Sequence, residues 1–195
     1  LRTNAAREFQ SDPSPDDRQI AFLSYIEGPE KLFVMERASG AARVLVDHGD
    51  VILGNRHWSP DGKQITYSSN VRIGHQIYRV DVATGKESRV SGLTSGGCEP
   101  RFSRDGRKIV YVSRGHMRPT SRLVEHDVAT GAETVLVDWD ALNYDPVYSP
   151  DGSEIAVSAR HAEGQVTIAV RDHGPGLPPE QREHVFERFY RIDPS

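Results

Sequence analysis

The chain has 195 residues, 36% of them hydrophobic and 27% charged, with a formal net charge of −4; that is enough apolar material for one domain with a core, or one domain with an appendage. The slightly acidic balance offers no basic face, so nucleic acid is not an expected partner. The longest apolar runs, such as Leu32 to Met35 and Val135 to Val137, are strand-sized and far short of the roughly 20 residues that cross a bilayer, so no membrane contact is expected either.

The sequence starts "LRTNAAREFQ", with neither an initiator Met nor the apolar stretch of a signal peptide, and reads as a mature or truncated chain. A stretch of turn and strand signals then repeats. Ser14-Pro15-Asp16-Asp17 comes first, followed by Gln19-Ile20-Ala21-Phe22. Trp58-Ser59-Pro60-Asp61-Gly62, Phe102-Ser103-Arg104-Asp105-Gly106 and Tyr148-Ser149-Pro150-Asp151-Gly152 follow at separations of 45, 44 and 46 residues. A self-similarity of this period marks a repeat architecture. Each copy continues with an alternating run (Ile65-Thr66-Tyr67, Ile109-Val110-Tyr111), a polar loop and a second apolar run that ends in another turn. That turn is Ala38-Ser39-Gly40 in the first copy, then Asp81-Val82-Ala83-Thr84-Gly85, then Asp127-Val128-Ala129-Thr130-Gly131. Asp accepts backbone hydrogen bonds two residues on, and Gly supplies positive φ, so Asp61, Asp105 and Asp151 are expected to be structural. The sole cysteine, Cys98, excludes an intrachain disulfide and a cysteine-rich metal site.

Short strands, a turn every ten or so residues and a period near 45 fit four-stranded propeller blades. The quoted run "WSPDGKQITYSS" and its sequel "QIYRVDVATGKESRV" resemble the WD-like repeat of TolB-type β-propellers over residues 14 to about 147. The same repeat occurs in the propeller domains of prolyl-oligopeptidase-type peptidases and of oligogalacturonate lyases, so the motif specifies the fold and no one function. The resemblance implies a periplasmic location if the chain follows TolB-type relatives. Pro13 holds the aromatic slot of the first copy and "REFQSD" before it is polar, so the innermost strand of the first blade is expected to be weak or absent. Incomplete end blades leave edges or faces unsatisfied, which favours a protein partner or closure by a second copy into a homo-oligomer.

After Asp172 the repeat stops. Pro178-Pro179 stand at a helix start, and Val185, Phe186, Phe189 and Tyr190 give one apolar face, so an amphipathic helix is expected over about 179 to 190. Asp172-x-Gly174-x-Gly176, with Phe186-Glu187-Arg188-Phe189-Tyr190-Arg191 after it, resembles the first glycine box and the phenylalanine box of the ATP-binding domain of sensor histidine kinases. That likeness reaches back to Tyr148 and implies that Asp172 would bond adenine while Gly174 and Gly176 shape the ATP lid. The asparagine box that should precede "YSPDG" is replaced by Asn143-Tyr144-Asp145-Pro146-Val147, the likeness of Asn4 to it is faint, and neither a second glycine box nor a phosphoacceptor region is present. Without those parts, phosphoryl transfer has no means, and no kinase activity and little or no ATP binding are expected. The hairpin of Glu154 to Ser158 and Gln165 to Arg171 nevertheless suits a blade. Ile168 stands to Asp172 as Ile77 stands to Asp81, Gly176 falls where Gly85 would be, and the helix would cover the missing outer edge with Phe186 and Phe189.

The residues before each aromatic belong on innermost strands, where some face a central channel. Asn55, Arg56, His57, Glu99, Arg101 and Asp145 are therefore the candidates for contacting a ligand or peptide, with polar pairing along a wet channel as their structural role. His57, His75, His116 and His126 show no chelating spacing, and no metal or other cofactor is expected. No G-x-S-x-G elbow accompanies the serines. The expectation is an all-β fold of about four blades with incomplete ends and a C-terminal amphipathic helix, with propeller repeats over 1–147 and a kinase-like hairpin and helix over 148–195. It would be a non-enzymatic propeller fragment or chimera acting as a binding or scaffold module, the alternatives being a nucleotide-binding kinase remnant or a domain associated with a propeller lyase or peptidase.

Overall fold

A computed structural model describes residues 8–25, 29–49, 53–70, 75–92, 96–113, 121–138, 142–149, 151–152, 154–160 and 166–172. Among these residues all regular structure is β-strand, in four antiparallel sheets, each a blade. Blade one contains β1 (Glu8–Pro13), β2 (Gln19–Ser24), β3 (Lys31–Glu36) and β4 (Ala42–Val46). Blade two contains β5 (Leu53–Trp58), β6 (Gln64–Ser69), β7 (Gln76–Asp81) and β8 (Glu87–Arg89). Blade three contains β9 (Gly97–Phe102), β10 (Lys108–Ser113), β11 (Arg122–Asp127) and β12 (Glu133–Asp138). Blade four has three strands among the described residues, β13 (Leu142–Tyr148), β14 (Glu154–Arg160) and β15 (Val166–Asp172).

The repeated tetrapeptide makes one turn four times. Ser14, Ser59, Ser103 and Ser149 donate their hydroxyls to Asp16, Asp61, Asp105 and Asp151 at 2.6–2.7 Å. Each hydroxyl also accepts the N–H five residues on, from Gln19, Gln64, Lys108 and Glu154, at 2.9 Å. The serine bond holds the Asp16, Asp61 and Asp105 carboxyls below the usual range. These aspartates are thus engaged in the turn, as expected from their spacing. Gly62, Gly106 and Gly152 take φ near +70° there, and in the degraded first copy Asp17 adopts the same left-handed conformation at 61°.

The first blade corrects the sequence reading. Its innermost strand is present: β1 pairs with β2 through Glu8↔Ser24, Phe9↔Leu23, Asp12↔Ala21 and Pro13↔Ile20. Pairing uses the backbone, and an inner strand bordering a polar channel tolerates the composition of "REFQSD". Blade one is therefore complete. In blade four the hairpin keeps blade register, with Ser158↔Ile168 and Glu154↔Asp172 matching Ser68↔Ile77 and Gln64↔Asp81. The helix expected over about 179 to 190 lies outside the described residues.

Period-two alternation sends successive residues of a strand to opposite seams. Ile109 and Tyr111 of β10 pack with Ile77, Val90, Phe102 and Val124 between blades two and three. Val110, between them in sequence, packs with Leu123, Leu136, Val137 and Ile155 towards blade four. The largest seam joins Ala21, Leu23, Leu32 and Val34 of blade one to Trp58, Ile65, Tyr67 and Val80 of blade two. Buried tyrosines add a repeated tie. The hydroxyls of Tyr67 and Tyr111 each donate at 2.7 Å to the first residue of their own blade's outermost strand, Glu87 and Glu133. Each glutamate also takes a group from the tail of the preceding blade: His48 Nε2 lies 2.7 Å from Glu87, and Gly92 N–H donates to Glu133 at 2.9 Å.

Gly97 has no room for a side chain, because a Cβ there would stand 2.7 Å from the Tyr111 ring and 3.0 Å from Ile77. Tyr111 is fully buried and tied to Glu133, so it has nowhere to retreat. Gly97→Ala is expected to cost about 1–3 kcal/mol of stability through overpacking, read as a lower urea midpoint; an unchanged midpoint would show that the seam adapts.

Candidate channel site

The innermost strand of every blade carries the same irregularity. Two residues oppose one on the neighbouring strand: Gln10-Ser11 against Phe22, Asn55-Arg56 against Tyr67, Glu99-Pro100 against Tyr111, and Asp145-Pro146 against Val157. Such a bulge releases two residues from the ladder and re-aims their side chains. Proline suits the second position in blades three and four because its missing N–H has no ladder partner to lose. The first position is left-handed in three blades, with φ 27° at Asn55, 59° at Glu99 and 48° at Asp145. Non-glycine residues held this way cost about 1–3 kcal/mol each, and such strain clusters at sites of function.

Between the bulged strands lies a cavity of about 370 Å³ lined by Ser11, Asp12, Asn55, Arg56, His57, Arg101 and Asp145. Five of the six residues expected to face a channel are thus brought together from three blades. Glu99 is not part of this lining: its carboxylate accepts the Asp145 N–H at 2.6 Å, so it fixes the backbone of the next blade's strained residue. Ser11 and Asp12 were missed. Asp12 stands two residues before Ser14 as His57 and Arg101 stand before Ser59 and Ser103, so completing the alignment of the degraded first copy would have found it.

Burial dominates the electrostatics. It raises the Asp12 carboxyl above its ordinary range against the pull of Arg56 and Arg101, and it lowers Arg56 despite Asp12 and Glu30 nearby. Burial, reinforced by the Arg101 charge, pushes His57 down to about 4. The neutral ring has a defined role, since Nδ1 accepts the Phe102 N–H at 3.3 Å from the next blade. That bond leaves the ring proton on Nε2. The cavity therefore offers two guanidiniums, two carboxylates, a carboxamide and a neutral imidazole.

The other singled-out groups are not assembled there. His75 precedes β7, His126 lies on β11, and neither lines the cavity; His116 is outside the described residues. Among the described residues no cluster of three or more His, Cys, Asp or Glu is arranged to hold a metal ion, and no helix is long and apolar enough to cross a membrane. Asp172 ends β15 opposite Glu154, while Gly174 and Gly176 lie outside the described residues.

The family model for the TolB beta propeller domain matches residues 4–175. The chain belongs to that family. The solved TolB from Acinetobacter baumannii superposes with a TM-score of 0.71 at 21% identity, over 88% of this chain and 42% of that one. An oligogalacturonate lyase in complex with manganese gives 0.66 at 20% identity, over 85% and 50%. In sequence, the uncharacterized peptidase YuxL of Bacillus subtilis is 31% identical over 161 residues, covering 78% of this chain and 22% of that protein. A short match, 46% identical over 46 residues, links 24% of the chain to 12% of the sensor-like histidine kinase SenX3 of Mycolicibacterium smegmatis. The propeller chain thus spans 12% and 22% of the lengths of these two curated relatives.

The depressed His57 gives stability a pH dependence of defined sign. Unfolded, its pKa is near 6.5; folded it is about 4, so between these values the unfolded chain binds more protons and stability falls as pH falls. Asp12, raised by burial, acts in the opposite sense. From His57 the loss between pH 7 and pH 5 is about 2 kcal/mol. Urea unfolding at the two pH values measures it, and His57→Gln should remove it; a pH dependence unchanged by that substitution would show that His57 is not its source.

Proposed function

We propose that this chain is a non-enzymatic binding or scaffold module whose channel face receives an extended segment of a protein or peptide partner. The observation that carries this reading is the convergence of Asn55, Arg56, His57, Arg101 and Asp145, with Asp12, on one cavity. The arrangement supplies fixed donors and acceptors but no activated nucleophile, which suits recognition more than bond cleavage. The likeness to TolB structures agrees with a binding role; that is a likeness of fold. The identity with YuxL supports a second reading, a propeller that accompanies a peptidase domain and screens what reaches it.

For the C-terminal stretch, the motifs around Asp172, Gly174 and Gly176 and the short match to SenX3 support descent from a histidine-kinase ATP-binding segment, joined to propeller repeats near Tyr148 as a chimera. In this reading the segment serves the last blade and does not catalyse. The last blade has three strands among the described residues; in this reading a partner strand or second copy pairs at its outer edge, and closure of a homo-oligomer there is expected to double the 21.7 kDa mass in sedimentation.

Peptides selected from a random library against the whole chain test the main reading. Calorimetry should show at least about a tenfold loss of affinity with Arg101→Ala and with Asn55→Ala. Peptides indifferent to both substitutions would place the binding surface elsewhere. The same calorimeter titrated with Mg-ATP is expected to show no heat, and tight binding lost in Asp172→Asn would replace the scaffold reading of the C-terminal stretch with a nucleotide site.

A further inference from the structure

The seam between blades two and three is fastened differently from its neighbours. Between blades one and two, Trp58 Nε1 donates to the Asp12 carbonyl at 2.9 Å, and His48 Nε2 lies 2.7 Å from the Glu87 carboxylate. Between blades three and four, Tyr148 OH donates to Glu125 at 3.0 Å and Asp145 N–H to Glu99 at 2.6 Å. Blades two and three share the Gly92 N–H to Glu133 bond and in addition meet across a histidine at each end. At the inner end the Phe102 N–H is accepted by His57 Nδ1 at 3.3 Å. Towards the outer end His126 is only 8% exposed, and its Nδ1 is shielded from solvent with no hydrogen-bond partner among the described residues.

Register sets His126 beside its counterparts in the other blades. It pairs with Ile109 of β10, as Val80 pairs with Ile65, Met35 with Ile20 and, in blade four, Arg171 with Ile155. Blades one and two thus place an apolar residue where blade three buries an imidazole. A buried polar atom without a partner is destabilising, and packing alone gives no reason to keep it. Beside it a cleft of about 570 Å³, lined by Arg89 to Gly92 of blade two and His126, Gly131 and Glu133 of blade three, gives water a way in once the seam parts.

We infer that this seam is an acid-sensitive hinge: protonation of His57 and His126 releases blades one and two from blades three and four and opens the channel cavity that both halves line. A proton on His57 Nδ1 converts the acceptor of the Phe102 N–H into a second donor facing it. A proton on His126 leaves an N–H buried without an acceptor. Neighbouring charges do not cancel this. His57 shares its cavity with Arg101 from β9, Arg56 on its own strand, Asp12 from β1 and Asp145 from β13, and Arg101 opposes its protonation. His126 meets Arg79 from β7, which opposes protonation, and Glu133 from β12 and Asp127 on its own strand, which favour it; Arg89 of β8 lines the same cleft. For both rings burial outweighs the rest and holds them neutral. Opening removes that burial, so acid favours the open seam.

Amide exchange on the whole chain at pH 7 and pH 5, corrected for the intrinsic pH dependence of exchange, tests the hinge. Protection of the Phe102 and Gly92 amides is expected to fall about twentyfold or more, the factor by which His57 alone shifts the opening equilibrium between its closed value of about 4 and an ordinary 6.5. The Trp58 indole N–H and the Asp145 amide, in the flanking seams, should keep theirs. The double variant His57→Gln, His126→Val should lose the response; Gln retains an acceptor for Phe102, and Val restores the residue that blade two uses, so the variant is expected to fold with at least the parent's urea midpoint at pH 7. Constant protection at Phe102 and Gly92, an equal loss in all three seams, or an undiminished response in the double variant would each overturn the hinge. If the double variant does not fold, the single variants His126→Val and His57→Gln decide by the same criteria, each expected to weaken the response.

Discussion

Everything in this fold depends on sheets that are apolar on both faces and so cannot remain alone in water. Ile109 and Tyr111 look one way and Val110 the other, and each direction needs a neighbouring blade to exclude solvent. At about 25 cal/mol per Å² of apolar surface removed from water, burial of a few such side chains per seam contributes more than any single polar tie. The hydrogen bonds between blades then decide alignment more than strength. Trp58 to the Asp12 carbonyl, Phe102 to His57, and Tyr148 to Glu125 each fix how one blade meets the next.

Stacking blades face to face leaves their inner strands together at one end, and that end cannot be apolar if it borders water. The bulge resolves the conflict. By taking Asn55-Arg56, Glu99-Pro100 and Asp145-Pro146 out of the ladder, it frees polar side chains for the channel while Trp58 and Phe102, at the ends of the same strands, remain in the seams. The left-handed residues it requires are costly, and part of that strain is met locally, as when Glu99 holds the Asp145 amide. Cavity and scaffold are therefore one device: Ser11, Asn55, Arg56 and Asp145, which line the cavity, are placed by the same backbone excursion that lets the sheets converge.

Much of this was legible in the sequence because the repeat reports local chemistry. Serine, aspartate and glycine at fixed offsets announced a turn whose bonds all fall within five residues, and counting back from each aromatic found Asn55, Arg56, His57, Arg101 and Asp145. What stayed hidden depends on partners distant in sequence. The Tyr67–Glu87 and Tyr111–Glu133 ties span 20 and 22 residues and carry no local signature. Glu99 looked like a channel residue because its neighbours are, yet its carboxylate is taken by an amide 46 positions on. Blade one was misjudged because polarity was read as weakness of a strand, whereas an inner strand needs backbone pairing on one side and tolerates water on the other.

The last blade shows how little a blade asks of its sequence. Glu154↔Asp172 repeats the pairing of Gln64↔Asp81 and Lys108↔Asp127, although the residues after Asp172 resemble a different family. What carries over is backbone register, the serine–aspartate turn at Ser149, and an apolar residue such as Ile155 to seal the seam against Val110 and Leu123. Those demands are generic for an antiparallel hairpin, so many sequences can satisfy them. The same generality explains why the fold leaves function open. Seams and turns constrain nearly every buried position, while bulged residues such as Asn55 and Asp145 are released from the side-chain alternation of the ladder.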